Sequence, residues 1–428
     1  MSKIIVIGAG IAGISAAYHA RLAGETAVVY EARNTYGGLM DHFKIEGFLF
    51  DYGTHVSFTD DPYVRSVFNE TPYYRHLPNI YNYEFGKWLR HPVQNNLYPL
   101  TPEDKVKAIL DFIEKPTMGV PENYEEWLIS RYGRFIVNRF PGKYTKKYWT
   151  VSASELSMEW LNNKMNQPSL EDVLFGAFSP DTENAYYMKE MRYPQTGGFR
   201  AYMDRMAAGC DIHFGKRVTQ INCQKKYVEF SDGSRDDYDE LISSVPLNEY
   251  VHLLRDMPAS VRLAMEGLWA TSVALVSVGF NRPDVAKYPW FYIYDEDIFP
   301  SRVCSPNILS PQNVPNGMSA LQFEVYYSKH KPLKMSNDQL IQHVMDIIIQ
   351  MKIAAAKEIM FGDVRHIPYG NVVFDHEMIG RRTVVVDYLL TQGIYMVGRF
   401  GEWGTHQSDE SFLSGKNAVD RIVMKNSR

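Results

Sequence analysis

The chain is poor in cysteine, with Cys210, Cys223 and Cys304 in 428 residues and no Cys-x-x-Cys spacing. That argues against a disulfide framework and a structural zinc site, and it fits a reducing cytoplasm. An excess of positive charge is missing too. Forty-five Lys and Arg stand against fifty Asp and Glu, a net charge of -5, so no basic field holds a polyanion and no nucleic-acid partner is expected. No run reaches the roughly 18 apolar residues that a membrane span needs. The nearest, 339–356, is broken by Gln342, His343, Asp346, Gln350 and Lys352. Residues 4–18 are apolar, but only Lys3 precedes them as a basic flank and Gly8, Gly10 and Gly13 interrupt them, unlike a signal sequence. Internal repeats and low-complexity tracts are also lacking. What is present, 45% hydrophobic and 14% aromatic residues with 29 Gly and 22 Pro, describes a soluble globular protein of two to three modules.

Residues 4–7, IIVI, suit a buried parallel strand; Gly8-Ala9-Gly10-Ile11-Ala12-Gly13 follows and opens an Ala-rich helix to about Leu22. In this GxGxxG, Gly8 makes the tight turn, Gly10 admits a pyrophosphate close to the backbone, and Gly13 lets helix pack on strand. The helix N-terminus favours the phosphates. A second strand, 27–30, ends at Glu31, eighteen residues after Gly13, where a carboxylate accepts the hydroxyls of an adenosine ribose. Next come Ala32, Arg33 and, four residues after Arg33, Gly37-Gly38-Leu39. This spacing resembles the second flavin motif of the amine oxidase and glutathione reductase superfamily, which implies FAD rather than NAD. Residues 227–234 alternate towards a hairpin, 239–246 (DELISSVP) look like the strand that closes the superfamily's dinucleotide sheet, and 393–401 like the strand and turn that carry its last flavin contacts.

Between these stretches, Thr101-Pro102-Glu103-Asp104 caps a helix to about Lys115. Further helices are expected around 122–138, 153–165 and 196–207. By contrast 272–280, 290–294 and 319–327 alternate and are rich in Val, Tyr and Phe, which predicts an antiparallel sheet, and a long helix follows over 336–357. The expected fold is α/β: a discontinuous FAD-binding Rossmann-like domain (1–60, 196–247, 385–428) with an inserted, mainly helical domain (61–195) and an inserted antiparallel sheet domain with the long helix (248–384).

Several further segments stand at matched intervals. Residues 46–58, EGFLFDYGTHVSF, carry Gly53, Thr54 and His55; 88–96, WLRHPVQNN, carry Gln94; Trp149 precedes Lys164 by fifteen residues; Trp290-Phe291-Tyr292 precedes Arg302; and GRFGEW (398–403) precedes Ser411-Phe412. In this combination the chain resembles the UDP-galactopyranose mutase family, its eukaryotic-type branch most closely, over most of its length. The resemblance implies an isomerase that interconverts pyranose and furanose forms of a nucleotide sugar. Reduced FAD attacks the anomeric carbon through N5, the nucleoside diphosphate leaves, and the sugar opens and recloses through an iminium. It implies catalytic roles for His55 and Arg302 and substrate contacts from Gln94, Trp149, Lys164, Trp290, Tyr292 and Arg302. It implies cofactor contacts from Gly8, Gly10, Ala12, Gly13, Glu31, Ala32, Arg33, Gly37, Gly38, Leu39, Gly53, Thr54, His55, Val218, Ser244, Gly398, Arg399, Ser408 and Ser411. An external electron donor, NADPH or NADH, follows, and no metal. Furanose sugars point to glycan or lipopolysaccharide precursor synthesis; the oligomeric state stays open.

The chain departs from the family at several places. Lys164 stands where the family has arginine, which keeps charge but loses the bidentate fork. His91, Met378 and Gly404 stand where it has tyrosines, Val93 where it has an aromatic residue, and Thr145 where it has asparagine. Singly, Trp149, Trp290 and Tyr292 also read as core aromatics, Arg302 as a solvated charge and His55 as a structural histidine; their joint spacing favours a site. The alternatives are an FAD-dependent oxidoreductase of the amine oxidase type and an FAD-binding scaffold without catalysis.

Overall fold

In this computed structural model residues 2–116, 119–161, 165–182 and 185–426 are described. The strand Lys3–Ile7 has no partner adjacent in sequence other than Thr26–Tyr30, and so recruits the rest of its sheet from far along the chain. Among the described residues five parallel strands assemble in the order Ile394–Met396, Glu240–Ser243, Lys3–Ile7, Thr26–Tyr30, Asp211–His213. The helix Ile11–Leu22 packs against this sheet and against the C-terminal helix Ser408–Asn426. Both make close approaches that only glycine allows: a Cβ on Gly13 would sit 1.9 Å from Gly8 O, and one on Gly415 2.1 Å from Ala12 O. This is the discontinuous Rossmann-like unit of an α/β fold.

A second sheet runs Ile359–Val372, Ala270–Phe280, Ser319–Tyr327, Arg302–Cys304, Trp290–Ile293, Tyr81–Glu84, Lys87–Arg90. Its neighbours are antiparallel except for Trp290–Ile293 beside Tyr81–Glu84, which is parallel. Period-two alternation divides its residues between two faces. Ala274, Val276, Phe323 and Val325 pack under the helix Asn337–Gln350, while Leu275, Glu324, Tyr326 and Tyr292 line a cavity on the other side. Both faces are therefore covered, which explains the nearly unbroken apolar strands.

The interval expected to be mainly helical departs from that reading. It contributes Tyr81–Glu84 and Lys87–Arg90 to the antiparallel sheet, and Tyr73–His76 pairs with Met191–Pro194. These are four-residue strands, too short for periodicity to separate from turns. The helix capped by Thr101 is found as Pro102–Ile113. The one expected over 122–138 is broken at Gly133 (φ 79°) into Tyr124–Tyr132 and Arg134–Arg139. Over 153–165 the described residues hold only the short turn Ala153–Glu155, and over 196–207 a 3-10 segment, Phe199–Met203, precedes the single turn Asp204–Ala207. The long helix ends at Gln350.

The helix Pro141–Tyr148 is tied to the sheet by Lys147, which is 4% exposed and donates from Nζ to the carbonyls of Ile293 and Asp295, both at 2.8 Å. Burial lowers its pKa to about 7. Above that pH the unfolded chain holds a proton there that the folded chain does not, so this group makes stability rise with pH, by about 1.4 kcal/mol per unit at most. Lys147→Met is expected to remove that slope between about pH 7 and about pH 9, below the bulk of thiol ionisation. Denaturant titrations of both proteins at several pH values check this; equal slopes would refute it.

Candidate active site

The site is built on one cross-strand row. Asn82, Tyr292, Arg302, Glu324 and Leu275 stand opposite one another on five adjacent strands. Trp290 and Tyr292, two apart, share a face, as do Glu324 and Tyr326, and all four line the cavity. From the facing helix Pro141–Tyr148 come Tyr144 and Tyr148, one turn apart with ring centroids 5.4 Å apart, then Trp149. Tyr186 and Tyr187 complete the wall.

This aromatic chamber is continuous with a groove over the N-terminus of the helix Ile11–Leu22, and together they form one cavity of about 1340 Å³. A pocket for one small ligand is roughly 300–1,000 Å³, so there is room for two. Gly10 caps the helix without a side-chain bond, and no acid stands in its first turn. Glu31, 9% exposed at the end of its strand, lines the groove with its carboxylate fixed by Ala9 N and Arg33 N at 2.8 Å each.

Nearly all the residues singled out in the sequence are brought to this cavity. Gly8, Gly10, Ala12, Glu31, Ala32, Gly37, Gly38, Leu39, Gly53, Thr54, His55, Val218, Ser244, Gly398, Arg399, Ser408 and Ser411 line it, as do Gln94, Trp149, Trp290, Tyr292 and Arg302. Gly13 and Arg33, expected as cofactor contacts, are not among the residues that line it. Gly13 is held under Gly8, and Arg33 is an exposed residue that donates to Gly38 O and lies over the Tyr52 ring; both shape the loops behind the groove. Lys164 lies outside the described residues.

Arg302 is not a free cation. Its Nε and Nη2 donate to Glu324 at 2.8 and 2.9 Å, and Glu324 also accepts from Thr54 N at 3.1 Å, Thr54 Oγ1 at 3.0 Å and Tyr326 OH at 2.9 Å. Burial opposes the charge of Arg302, and Glu324 together with Tyr326, Tyr148 and Tyr144 more than offsets it. Burial lowers the His55 pKa to about 4 and the His91 pKa to about 3, so both rings are neutral near pH 7. The His55 Nδ1 lies 3.0 Å from Gly53 O; a carbonyl only accepts, so Nδ1 carries the proton and Nε2 is an acceptor. The His55 ring stacks on Phe199 at 5.3 Å. Asn82 is oriented by two donations to Leu89 O and Arg90 O, which makes its Oδ1 the acceptor for His91 Nδ1 at 3.1 Å. Burial also raises the phenols of Tyr144, Tyr186 and Tyr326 well above their usual range and Tyr187 to about 12, so all are neutral donors.

Sequence reasoning missed Glu324, Tyr326, Tyr144, Tyr148, Tyr186 and Tyr187. Glu324 did leave a signal, since it is the one charged residue in the stretch ALQFEVYY; Tyr144 and Tyr148 show helical spacing after Pro141. Tyr186 and Tyr187 lie outside any regular element and left none.

Residues 130–423 match the family described as flavin containing amine oxidoreductase, and residues 6–71 the NAD(P)-binding Rossmann-like domain. The chain belongs to the flavin-containing amine oxidoreductase family. The protein is an enzyme of this FAD-dependent superfamily. The crystal structure of reduced UDP-galactopyranose mutase superposes with a TM-score of 0.93 at 24% identity, over 99% of this chain and 96% of that one. Wild-type putrescine oxidase bound to putrescine superposes at 0.67 and 15% identity, over 99% of each chain. A 4,4'-diapophytoene desaturase (4,4'-diaponeurosporene-forming) of Staphylococcus haemolyticus is 29% identical over 142 residues, 32% of this chain and 26% of that protein. The structural likenesses concern the fold.

The groove fits the family's FAD by its own chemistry. The uncapped helix end suits a diphosphate, Glu31 suits a ribose, and a Cβ on Gly38 would approach Gly10 Cα to 3.1 Å. Buried Arg399 Nε, without a hydrogen-bond partner among the described residues, stands in the same groove. No described helix is long and apolar enough to cross a membrane.

Proposed function

We propose that the enzyme is a flavin-dependent nucleotide-sugar mutase that interconverts pyranose and furanose forms. The observation that carries this reading is a guanidinium, Arg302, set among neutral phenols and indoles in a chamber that opens onto the FAD groove. FAD, when bound and reduced, supplies the nucleophilic nitrogen for exchange at the anomeric carbon. Everything else falls to the protein.

The pair with Glu324 occupies the Nε/Nη2 edge of Arg302, which leaves the Nη1/Nη2 edge for a diphosphate, itself a bidentate geometry. Tyr148 spends its proton on Asn371 Oδ1, and Tyr144, Tyr187 and Tyr292 line the chamber beside this position as hydroxyl donors. These three stabilise the leaving diphosphate where its charge develops. Trp149 and Trp290 flank the sugar and base and exclude water; Trp290 is fixed by its Nε1 donation to Tyr292 OH at 3.2 Å. His55 stays neutral and offers an acceptor at Nε2. Gln94 and Lys164 complete the proposed substrate contacts, NADPH or NADH the external reductant.

A second reading, oxidation of a neutral substrate, is favoured by one observation: Glu324 already offsets Arg302, so that pair brings no net charge to the chamber. An anaerobic assay separates the two. Dithionite-reduced and oxidised protein are each given UDP-galactopyranose and a panel of UDP-, dTDP- and GDP-sugars, and products are read by NMR. Furanose product from the reduced protein alone is expected. No product from any sugar, with substrate-dependent bleaching of oxidised flavin by an amine or alcohol, would replace the mutase reading by the second.

A further inference from the structure

Glu324 is 1% exposed and saturated with donors from two directions. Its Oε1 takes Arg302 Nη2 at 2.9 Å together with Thr54 N at 3.1 Å and Thr54 Oγ1 at 3.0 Å; its Oε2 takes Arg302 Nε and Tyr326 OH. Arg302 belongs to the substrate wall. Thr54 belongs to the turn Gly53-Thr54-His55, which lines the same cavity. The turn has little slack: Gly53 is at φ 106°, its carbonyl takes the His55 proton, and the His55 ring lies on Phe199.

We propose that Glu324 is a positioning residue that couples anion binding at Arg302 to the redox state of the flavin. The inference rests on the reading of the chamber as an anion site and adds its regulation. The physics is that of a shared acceptor. An anion arriving at the free edge of Arg302 draws the guanidinium charge towards itself and weakens its hold on Glu324. The carboxylate then pulls harder on Thr54 N and Oγ1, and the turn that bears His55 tightens. A change of charge on the flavin side acts on the turn and travels back by the same bonds. Thermodynamic linkage makes the two effects equal in size. Pairing with the buried guanidinium needs only the two bonds to Arg302; the coupling accounts for the further bonds of Glu324 to Thr54.

The test uses the FAD-loaded protein and inorganic pyrophosphate as probe, so it needs no turnover. Pyrophosphate affinity is measured by calorimetry for oxidised and for dithionite-reduced protein, and the flavin midpoint potential with and without saturating pyrophosphate. In the unaltered protein the two affinities are expected to differ by about fivefold or more, a potential shift of about 20 mV for a two-electron couple. Glu324→Gln keeps the shape and removes the charge; its ratio is expected to fall to within about twofold. Thr54→Val leaves the Arg302–Glu324 pair intact and deletes one link to the turn; it is expected to lose about half of the shift in millivolts. Since it disturbs no ion pair, it carries the test by itself if Glu324→Gln fails to fold. A redox-independent affinity in the unaltered protein, or a ratio unchanged in Thr54→Val, would overturn the proposal. Coupling without isomerisation of any nucleotide sugar would keep this inference and remove the mutase reading; isomerisation without coupling would do the reverse.

Discussion

Arg302→Ala is expected to lower kcat/KM for nucleotide-sugar isomerisation by about a hundred-fold to a thousand-fold, the usual cost of losing a donor aimed at developing charge. It is also expected to destabilise the protein by about 3–5 kcal/mol, because Glu324, 1% exposed, is left as a buried carboxylate without its cation. The two losses separate. In the double variant Arg302→Met, Glu324→Gln the unpaired charge is gone, so much of the stability returns while turnover does not. Arg302→Lys keeps a charge but not the fork that holds Glu324 on one edge and a diphosphate on the other, and falls between. Steady-state kinetics and denaturant melts on the four proteins check this. A double variant as unstable as Arg302→Ala would refute the argument from the buried charge.

Gly13→Val is expected to yield protein without bound flavin. The first added carbon would lie 1.9 Å from Gly8 O and 3.3 Å from Val6 Cγ1. The first obstacle is a backbone carbonyl, which no rotamer change can move. Helix must separate from strand, and the glycine turn at the head of the groove separates with it. Overpacking costs about 3 kcal/mol at the upper end of its usual range, worth about a hundred-fold in affinity if it falls on FAD binding. Gly380→Ala is the contrast: this helical glycine meets nothing within 4 Å, and the substitution is expected to stabilise by about 0.4–1 kcal/mol. The visible flavin spectrum and the melting temperature report both. Full flavin occupancy in Gly13→Val would refute the close-packing account.

What could be read from the sequence follows the range of the forces. The groove around Gly8, Gly10 and Glu31 was legible because a strand, a turn and a helix within some thirty residues fix it. Residues far apart, Trp290 to Arg302, were legible through their intervals. The bidentate pair was not: Arg302 and Glu324 meet only through the register of two antiparallel strands, and nothing local in either strand sets that register. The hairpin Tyr81–Glu84 and Lys87–Arg90 joins the rest of its sheet only through Trp290–Ile293, about two hundred residues on, for the same reason. Tyr186 and Tyr187 come from an irregular segment, where no periodicity exists to be read.

The order of strands in the parallel sheet bears on how the protein is made. Lys3–Ile7 lies between Thr26–Tyr30 and Glu240–Ser243, and the latter needs Ile394–Met396 on its far side. Lys3–Ile7, once outside the ribosome, therefore waits for a neighbour more than two hundred residues behind it, roughly ten seconds or more at 5–20 residues per second. Throughout that time it is an apolar edge with open hydrogen-bonding groups, the kind of surface that pairs with other chains. The flavin groove cannot close before Gly398 and Ser411, which line it, have emerged, so FAD loads only after they have. Expression conditions that slow release or lack holding chaperones select for aggregate rather than for yellow protein.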